Sequence, residues 1–241
     1  MLHRLSLIVI LLAILLPSTA MATNDNESPS SWFLELKGGP FVPNVDDEFS
    51  GASPFKSIFG DKHSIMFKMQ MDFLFYKGFG SLGIGADLGF YRIVGNALAD
   101  DGTKSADETA LILLPIGVKL SYRFDYLAKE YNIPLVPYVK GGLNYVLWWI
   151  TEGDGSIASW GEGQTGGNAS GATYGFEFSV GLAILLDFFD PQSARSLDQE
   201  TGINNSYIFG EYVWSFNDNF GGGNALMVGG NYWLVGLGIQ F

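Results

Sequence analysis

From Ala225 to Phe241 the sequence alternates. Phe241, Ile239, Leu237, Val235 and Trp233 are apolar, whereas Gln240, Gly238, Gly236 and Tyr232 between them are small or polar, with Leu234 the exception. A period of two sends successive side chains to opposite faces of an extended chain, so the stretch reads as one β-strand with a greasy face. It is long for a globular strand, and its apolar set runs to an aromatic residue at position 241. Such a strand suits the closure of a barrel in lipid, where every backbone polar group needs a partner and no sheet edge stays open.

The same period recurs along the chain. It predicts strands over residues 32–41, 63–76, 81–94, 110–124, 137–150, 172–188 and 206–216 ahead of the closing strand. In the second, Ile65, Phe67, Met69, Met71, Phe73 and Phe75 oppose Lys68, Gln70 and Asp72. In the third, Leu82, Ile84, Ala86, Leu88 and Phe90 oppose Gly83, Gly85, Asp87 and Gly89. Pro115 lies inside the fourth, where a missing N–H is expected to mark a bulge or an outer overhang. The count is about eight, an even number, or about ten if a short connector hides a hairpin. The fold expected is an all-β, antiparallel up-and-down transmembrane barrel.

Connectors alternate in character. Residues 42–61, 96–108, 151–170 and 217–224 are polar and mostly acidic; the others are tight, or helical near residues 126–131 and before Gly202. With both termini periplasmic, the first set faces outward from the cell. Aromatic residues then form two interfacial belts: Trp32, Phe75, Tyr76, Tyr122, Phe124, Phe188, Phe189 and Phe241 inside, and Phe90, Tyr91, Trp148, Trp149, Trp214 and Trp233 outside.

Composition agrees. Of 241 residues only 16 % are charged, against about 25 % in soluble domains, while 15 % are aromatic and 32 are Gly. No apolar run reaches the roughly 20 residues of a spanning helix. The net charge of −12 argues against nucleic acid, and the lack of Cys excludes disulfides, thiol nucleophiles and thiolate metal sites. His3 and Arg4, the apolar run Leu5 to Leu16, Pro17 and the small-x-small pattern Ala20-Met21-Ala22 read as a signal peptide, 1–22, cleaved after Ala22. That leaves 23–241 as one barrel domain. A soluble sandwich or lipocalin-like barrel shares the period, but its outer face would be charged, and the apolar faces here carry no charge.

These features resemble small bacterial outer-membrane β-barrel proteins of the OmpA-like and OmpW-like size class. A narrower resemblance, to an uncharacterised myxobacterial-type barrel family, rests on four stretches: Leu34-Glu35-Leu36-Lys37 with Gly39-Pro40; Tyr122-Arg123-Phe124-Asp125; Ile133-Pro134-Leu135-Val136-Pro137-Tyr138; and Leu185-Leu186-Asp187 followed by Asp190-Pro191. The resemblance implies an outer-membrane location, contact with outer-membrane lipid and lipopolysaccharide, and a monomer. It makes Trp233, Val235, Leu237, Ile239 and Phe241 the C-terminal signal read by the barrel-insertion machinery. It brings no activity, and the peptidoglycan-binding domain of full-length OmpA-like proteins is missing from the expected layout.

The inner face is predicted to carry Glu35, Lys37, Lys68, Asp72, Asp87, Lys119, Arg123, Lys140, Glu177 and Glu211, five basic and five acidic. A barrel of about eight strands has room inside only for side chains. Charges there must pair, and Arg123, Lys119 and Lys140 are expected to meet Glu35, Glu177 and Glu211. The pairs either fill the lumen or form a gate whose re-pairing opens a narrow pore for small solutes.

The case for catalysis is thin. His63-Ser64 pairs a base with a hydroxyl, but neighbours on a strand face opposite ways. Gly83-x-Gly85 lacks the rest of a nucleotide fingerprint. Asp46-Asp47-Glu48, Asp100-Asp101 and Asp107-Glu108 lack calcium-loop spacing and read as solvated charge. Trp160 reads as an interfacial aromatic rather than a ligand contact. No enzyme, cofactor or metal is expected. The function expected is structural or a narrow gated pore, with loop-mediated binding or adhesion as the alternative and lipid modification behind it.

Overall fold

The computed structural model describes residues 30–98, 103–160, 167–222 and 225–241. The expected signal segment with Ala20 and Ala22, and the Asp100-Asp101 pair, lie outside the described residues. The strands are β1 (Trp32–Phe41), β2 (Ser64–Gly78), β3 (Gly80–Leu98), β4 (Lys104–Arg123), β5 (Leu135–Glu152), β6 (Ser159–Trp160), β7 (Gly167–Asn168), β8 (Ser170–Leu185), β9 (Asn205–Asn217) and β10 (Gly230–Gln240). Eight of them close a barrel in the order β1-β10-β9-β8-β5-β4-β3-β2, and β6 and β7 pair as a separate small hairpin. Every barrel pairing is antiparallel. The seam joins the first strand to the last, with Leu36 opposite Leu237 and reciprocal backbone bonds between Trp32 and Phe241 at 2.8 and 3.0 Å.

The start of β1 and the end of β10 lie at one end of the barrel, here the turn end. Phe79 alone separates β2 from β3 there, and Gly80 takes φ +96°, where a Cβ would lie 2.7 Å from the Arg123 carbonyl oxygen. Helix α2 (Tyr126–Tyr131) joins β4 to β5, and α3 (Pro191–Thr201) joins β8 to β9. Asp190 caps α3 by accepting from the Ser193 N–H and hydroxyl, which lowers its carboxyl pKa; Gly202 ends the helix at φ +73°. The opposite, loop end carries the long connectors.

Several boundaries differ from the pattern-based reading. The closing strand covers Gly230–Gln240 rather than Ala225–Phe241. Ala225 and Val228 are instead buried outside the strand, with the Val228 N–H donating to the Asn217 carbonyl at 3.2 Å. The loop expected over 96–108 is largely ladder, because β3 and β4 extend their pairing to Leu98 and Lys104. The strand expected over 172–188 ends at Leu185, and Leu186–Phe188 form a 3-10 turn. Pro115 makes neither bulge nor overhang. It stands opposite Val146 in unbroken register with β5, while the ladder to β3 skips between Leu88↔Ile116 and Tyr91↔Leu113 and resumes in step. The missing donor is absorbed by omitting bonds rather than by inserting a residue. Tyr91 and Trp148 leave the outer belt: Tyr91 is buried inside the barrel, and Trp148 packs on the same interior cluster.

Outward positions are apolar throughout the middle of the wall. Phe67, Leu120, Leu143, Phe178, Trp233 and Val235 are between 51 and 65 % exposed. No charged side chain stands on the outer face of β2 from Ile65 to Phe75, of β3 from Leu82 to Phe90, or of β10. Water does not tolerate so continuous an apolar belt, whereas hydrocarbon does. The charges are inside.

Candidate functional site

The interior is built in three layers. Toward the turn end, Phe33, Leu74, Val136, Tyr138, Ala183, Tyr207 and Phe209 form an apolar layer. Toward the loop end, Phe41, Met66, Tyr91, Ile93, Leu111, Leu113, Val146, Val213, Tyr232 and Leu234 form a larger one. Between them stand Glu35, Lys37, Lys68, Asp72, Asp87, Lys119, Arg123, Lys140, Glu177 and Glu211, none more than 4 % exposed.

The charges fall into two groups. In the first, Glu35 meets Lys140 at 2.5 Å and Lys37 at 3.1 Å and binds the Arg123 guanidinium at close contact. Glu211 meets Lys37 at 2.8 Å and Lys140 at 3.0 Å, while Asp72 stands 3.8 Å from Arg123. In the second, Glu177 meets Lys119 at 2.5 Å and Lys68 at 2.7 Å, and Asp87 meets the same two lysines at 3.1 and 3.3 Å. Three carboxylates therefore face three cations in one group, and two face two in the other. Each group is neutral on its own, the condition under which buried charge is tolerable.

Neutral side chains complete the network. Gln70 accepts from Lys37 at 2.9 Å and donates to Asp72 at 2.8 Å, and Ser121 donates to Asp72 at 2.9 Å. Tyr138 donates to Glu211 at 3.1 Å, and Tyr232 and Asn144 each donate to Glu177 at 3.3 Å. The guanidinium of Arg123 lies 3.5 Å from the Phe33 ring centroid, and the Lys140 ammonium 4.6 Å from that of Tyr138. The aromatic residues of the apolar layers thus seat the outermost cations. Pattern reading missed Gln70, Ser121, Tyr138, Tyr232 and Asn144 as network members, although inward parity marks each of them.

The loop end is capped by the chain itself. Val45, Phe55 and Phe59, from the connector between β1 and β2, are buried in the larger apolar layer. Helix α1 (Pro54–Phe59) carries the two Phe rings with centroids 4.8 Å apart. Asp46 is not merely solvated charge: its carboxylate accepts from the backbone N–H groups of Phe55 at 2.7 Å and Lys56 at 3.1 Å, holding α1 in place. The segment 225–229 packs beside it, with the Asn44 N–H donating to the Gly229 carbonyl at 2.8 Å.

His63 is exposed at the loop end, and among the described residues no cluster of His, Cys, Asp and Glu could hold a metal ion. Trp160 lies in β6, and its side chain is outside the described set. Trp233, Val235, Leu237 and Ile239 share the outer face of β10, and Phe241 follows that strand's end.

A closed, eight-strand antiparallel barrel with an apolar exterior and a charged interior is a transmembrane β-barrel of the outer-membrane type. No protein-family model matches the chain, and no curated protein matches it. Among solved structures it is similar to Ail, the attachment invasion locus protein of Yersinia pestis, in complex with the heparin analogue sucrose octasulfate, with 13 % identity, coverage of 89 % of this chain and 99 % of that one, and a TM-score of 0.45. It is similar to Neisserial surface protein A, with 10 % identity, 89 and 100 % coverage and a TM-score of 0.46. It is also similar to the outer membrane protein OprG from Pseudomonas aeruginosa, with 12 % identity, 90 and 98 % coverage and a TM-score of 0.41.

Proposed function

We propose that the chain is a monomeric outer-membrane barrel whose lumen is shut, serving as a structural element of the membrane rather than as an open pore or an enzyme. The observation that supports this is the layered interior: two separately neutral charge groups held between two apolar layers. A water path would have to part both layers and separate buried pairs, and stranding one member of such a pair costs about 3–5 kcal/mol. The narrower kinship with a myxobacterial-type barrel family, the lipopolysaccharide contact and delivery by the barrel-insertion machinery belong to the same proposal.

The test is conductance of the refolded barrel in a planar bilayer, with heat-shifted gel mobility as proof of folding. A silent bilayer is expected; frequent discrete openings would remove the reading. One observation favours a gated pore as second reading: Lys37 and Lys140 each touch both Glu35 and Glu211, so these four can trade partners without any charge being left alone. Openings whose size changes in Glu211→Gln and Arg123→Gln would establish the gate. Openings indifferent to both substitutions would exclude it.

A further inference from the structure

Two oddities of the wall lie at one place. Gly38 stands outward on β1 between Val235 of β10 and Phe67 of β2, its register partners, and leaves the outer face without a side chain there. Three strands along, the ladder between β3 and β4 lapses at Gly89 and Phe90, opposite Pro115 and Leu114. Between these points the outer surface holds a groove of about 540 Å³, with Phe67, Leu88, Phe90, Leu114 and Val235 among its walls. Met69 lies along it too, a flexible side chain that adapts to irregular apolar shapes.

The groove has a charged rim at its loop end. Arg92 follows Phe90 on the same outer face of β3, two residues or roughly 7 Å further on, and is exposed. The Ser64 hydroxyl donates to the Arg92 carbonyl at 2.5 Å, and Lys62 and His63, both exposed, come just before Ser64 in the chain. Among the described residues Arg92 and Lys62 have no ion-pair partner, and the nearby Asp61 is held by Lys56 at 3.0 Å. In a chain of net charge −12, the unpaired Arg92 above an apolar groove is a local exception. An acyl chain meets the groove, and a phosphate meets the rim, where Arg and Lys bind phosphate oxygens by charge-assisted bonds.

We propose that this surface holds one phosphorylated acyl glycolipid of the outer leaflet, the lipid A part of lipopolysaccharide, with a chain along Gly38 and a phosphate on Arg92 and Lys62. The proposal rests on the loop end facing out of the cell, and it gives the lipopolysaccharide contact of the outer-membrane reading a site. Charge complementarity selects this occupant over a second copy of the barrel, whose matching face is equally basic at its rim.

The test is native mass spectrometry of the refolded barrel in detergent with diphosphoryl lipid A, its dephosphorylated form, or phosphatidylglycerol. One diphosphoryl lipid A per barrel is expected, with retention of the dephosphorylated form about tenfold lower. The double variant Arg92→Gln/Lys62→Gln should erase that difference. Gly38→Leu, which fills the groove, should lower retention of both lipid A forms. Equal retention in every variant, preference for phosphatidylglycerol, or a barrel dimer in place of the lipid adduct would each overturn the site. Heat-shifted mobility checks that every variant is folded, and conductance is recorded on the same samples. A silent barrel without lipid removes only this site; a conducting barrel with lipid removes only the closed lumen.

Discussion

Replacing Glu35 by Gln should destabilise the barrel more than any single change on its surface. Glu35 is the partner of three cations, and its loss is not shared evenly. Lys37 and Lys140 still have Glu211, at 2.8 and 3.0 Å, but Arg123 is left with Asp72 at 3.8 Å alone. The group passes from neutral to one excess cation in a site where no member is more than 4 % exposed. Breaking a buried pair in this way costs about 3–5 kcal/mol. With a urea slope of roughly 2 kcal/mol/M, the unfolding midpoint should fall by about 2 M. The double variant Glu35→Gln/Arg123→Gln restores neutrality, leaving Lys37 and Lys140 against Glu211 and Asp72, so it should lie closer to wild type than the single variant does. Urea unfolding in lipid vesicles, followed by tryptophan emission, measures both. A single-variant loss under about 1 kcal/mol, the value of a solvated pair, would mean that the lumen is wet and the charge-balance argument wrong. So would a double variant as unstable as the sum of the two singles.

Three further outcomes are expected. Gly175→Ala places a Cβ 1.7 Å from the Phe216 carbonyl oxygen across the β8–β9 pairing, and should lower stability by more than about 1 kcal/mol in the same urea assay. Phe59→Ala removes a 4 % exposed ring from the outer apolar layer; it should cost about 3–5 kcal/mol and speed proteolytic cleavage within residues 42–61 while the barrel wall stays intact. In the β5–β8 connector, the Ser156 hydroxyl and then its N–H hold the Asp154 carboxyl below its usual pKa. A depressed folded-state pKa means that the turn is stabilised above the ordinary carboxylate range and released as pH falls through the lowered value, so Ser156 amide exchange should accelerate only on that acid side.

The wall of the barrel was legible because its signal is local. Alternation over a handful of residues reports which face meets lipid, and the same parity names the inward charges. Strand ends were less legible because alternation fades where the wall rises past the hydrocarbon. Residues 94–98 of β3 and 104–109 of β4 pair without an apolar outer face to announce it. Tyr91 and Trp148 were misplaced for a different reason. Ring chemistry alone sent Phe90 and Tyr91, and Trp148 and Trp149, to the same belt, although adjacent residues on a strand cannot both face lipid. The inward fold of the β1–β2 connector also left a trace: Pro54 opens a short helix after Ser53, with Phe55 and Phe59 four residues apart on one face. What no local pattern contains is the height of each side chain in the lumen. Lys68 and Glu177 lie 109 residues apart and meet only because closure of the sheet brings β2 and β8 to one level.

That closure also decides where the acidity of the chain acts. The inward charges cancel, so the whole net charge of −12 belongs to connectors and chain ends. Among described residues at the loop end, Asp47, Glu48, Asp107, Glu108, Glu152 and Asp154 are exposed. Such a rim repels an anionic leaflet except where cations break it, and Arg92, two residues beyond Phe90 at the edge of the wall groove, is such a break. On the closed-lumen proposal, a barrel neutral inside, apolar around its middle and acidic at its loop end would carry its selectivity on the outer surface. Reversing that one break should be felt there. Arg92→Glu ought to abolish retention of phosphorylated lipid A while leaving the urea midpoint within the small range of ordinary surface substitutions, about 0.5 kcal/mol. If the midpoint instead falls with lipid retention, Arg92 belongs to the wall's own stability and the lipid assignment loses its specific evidence.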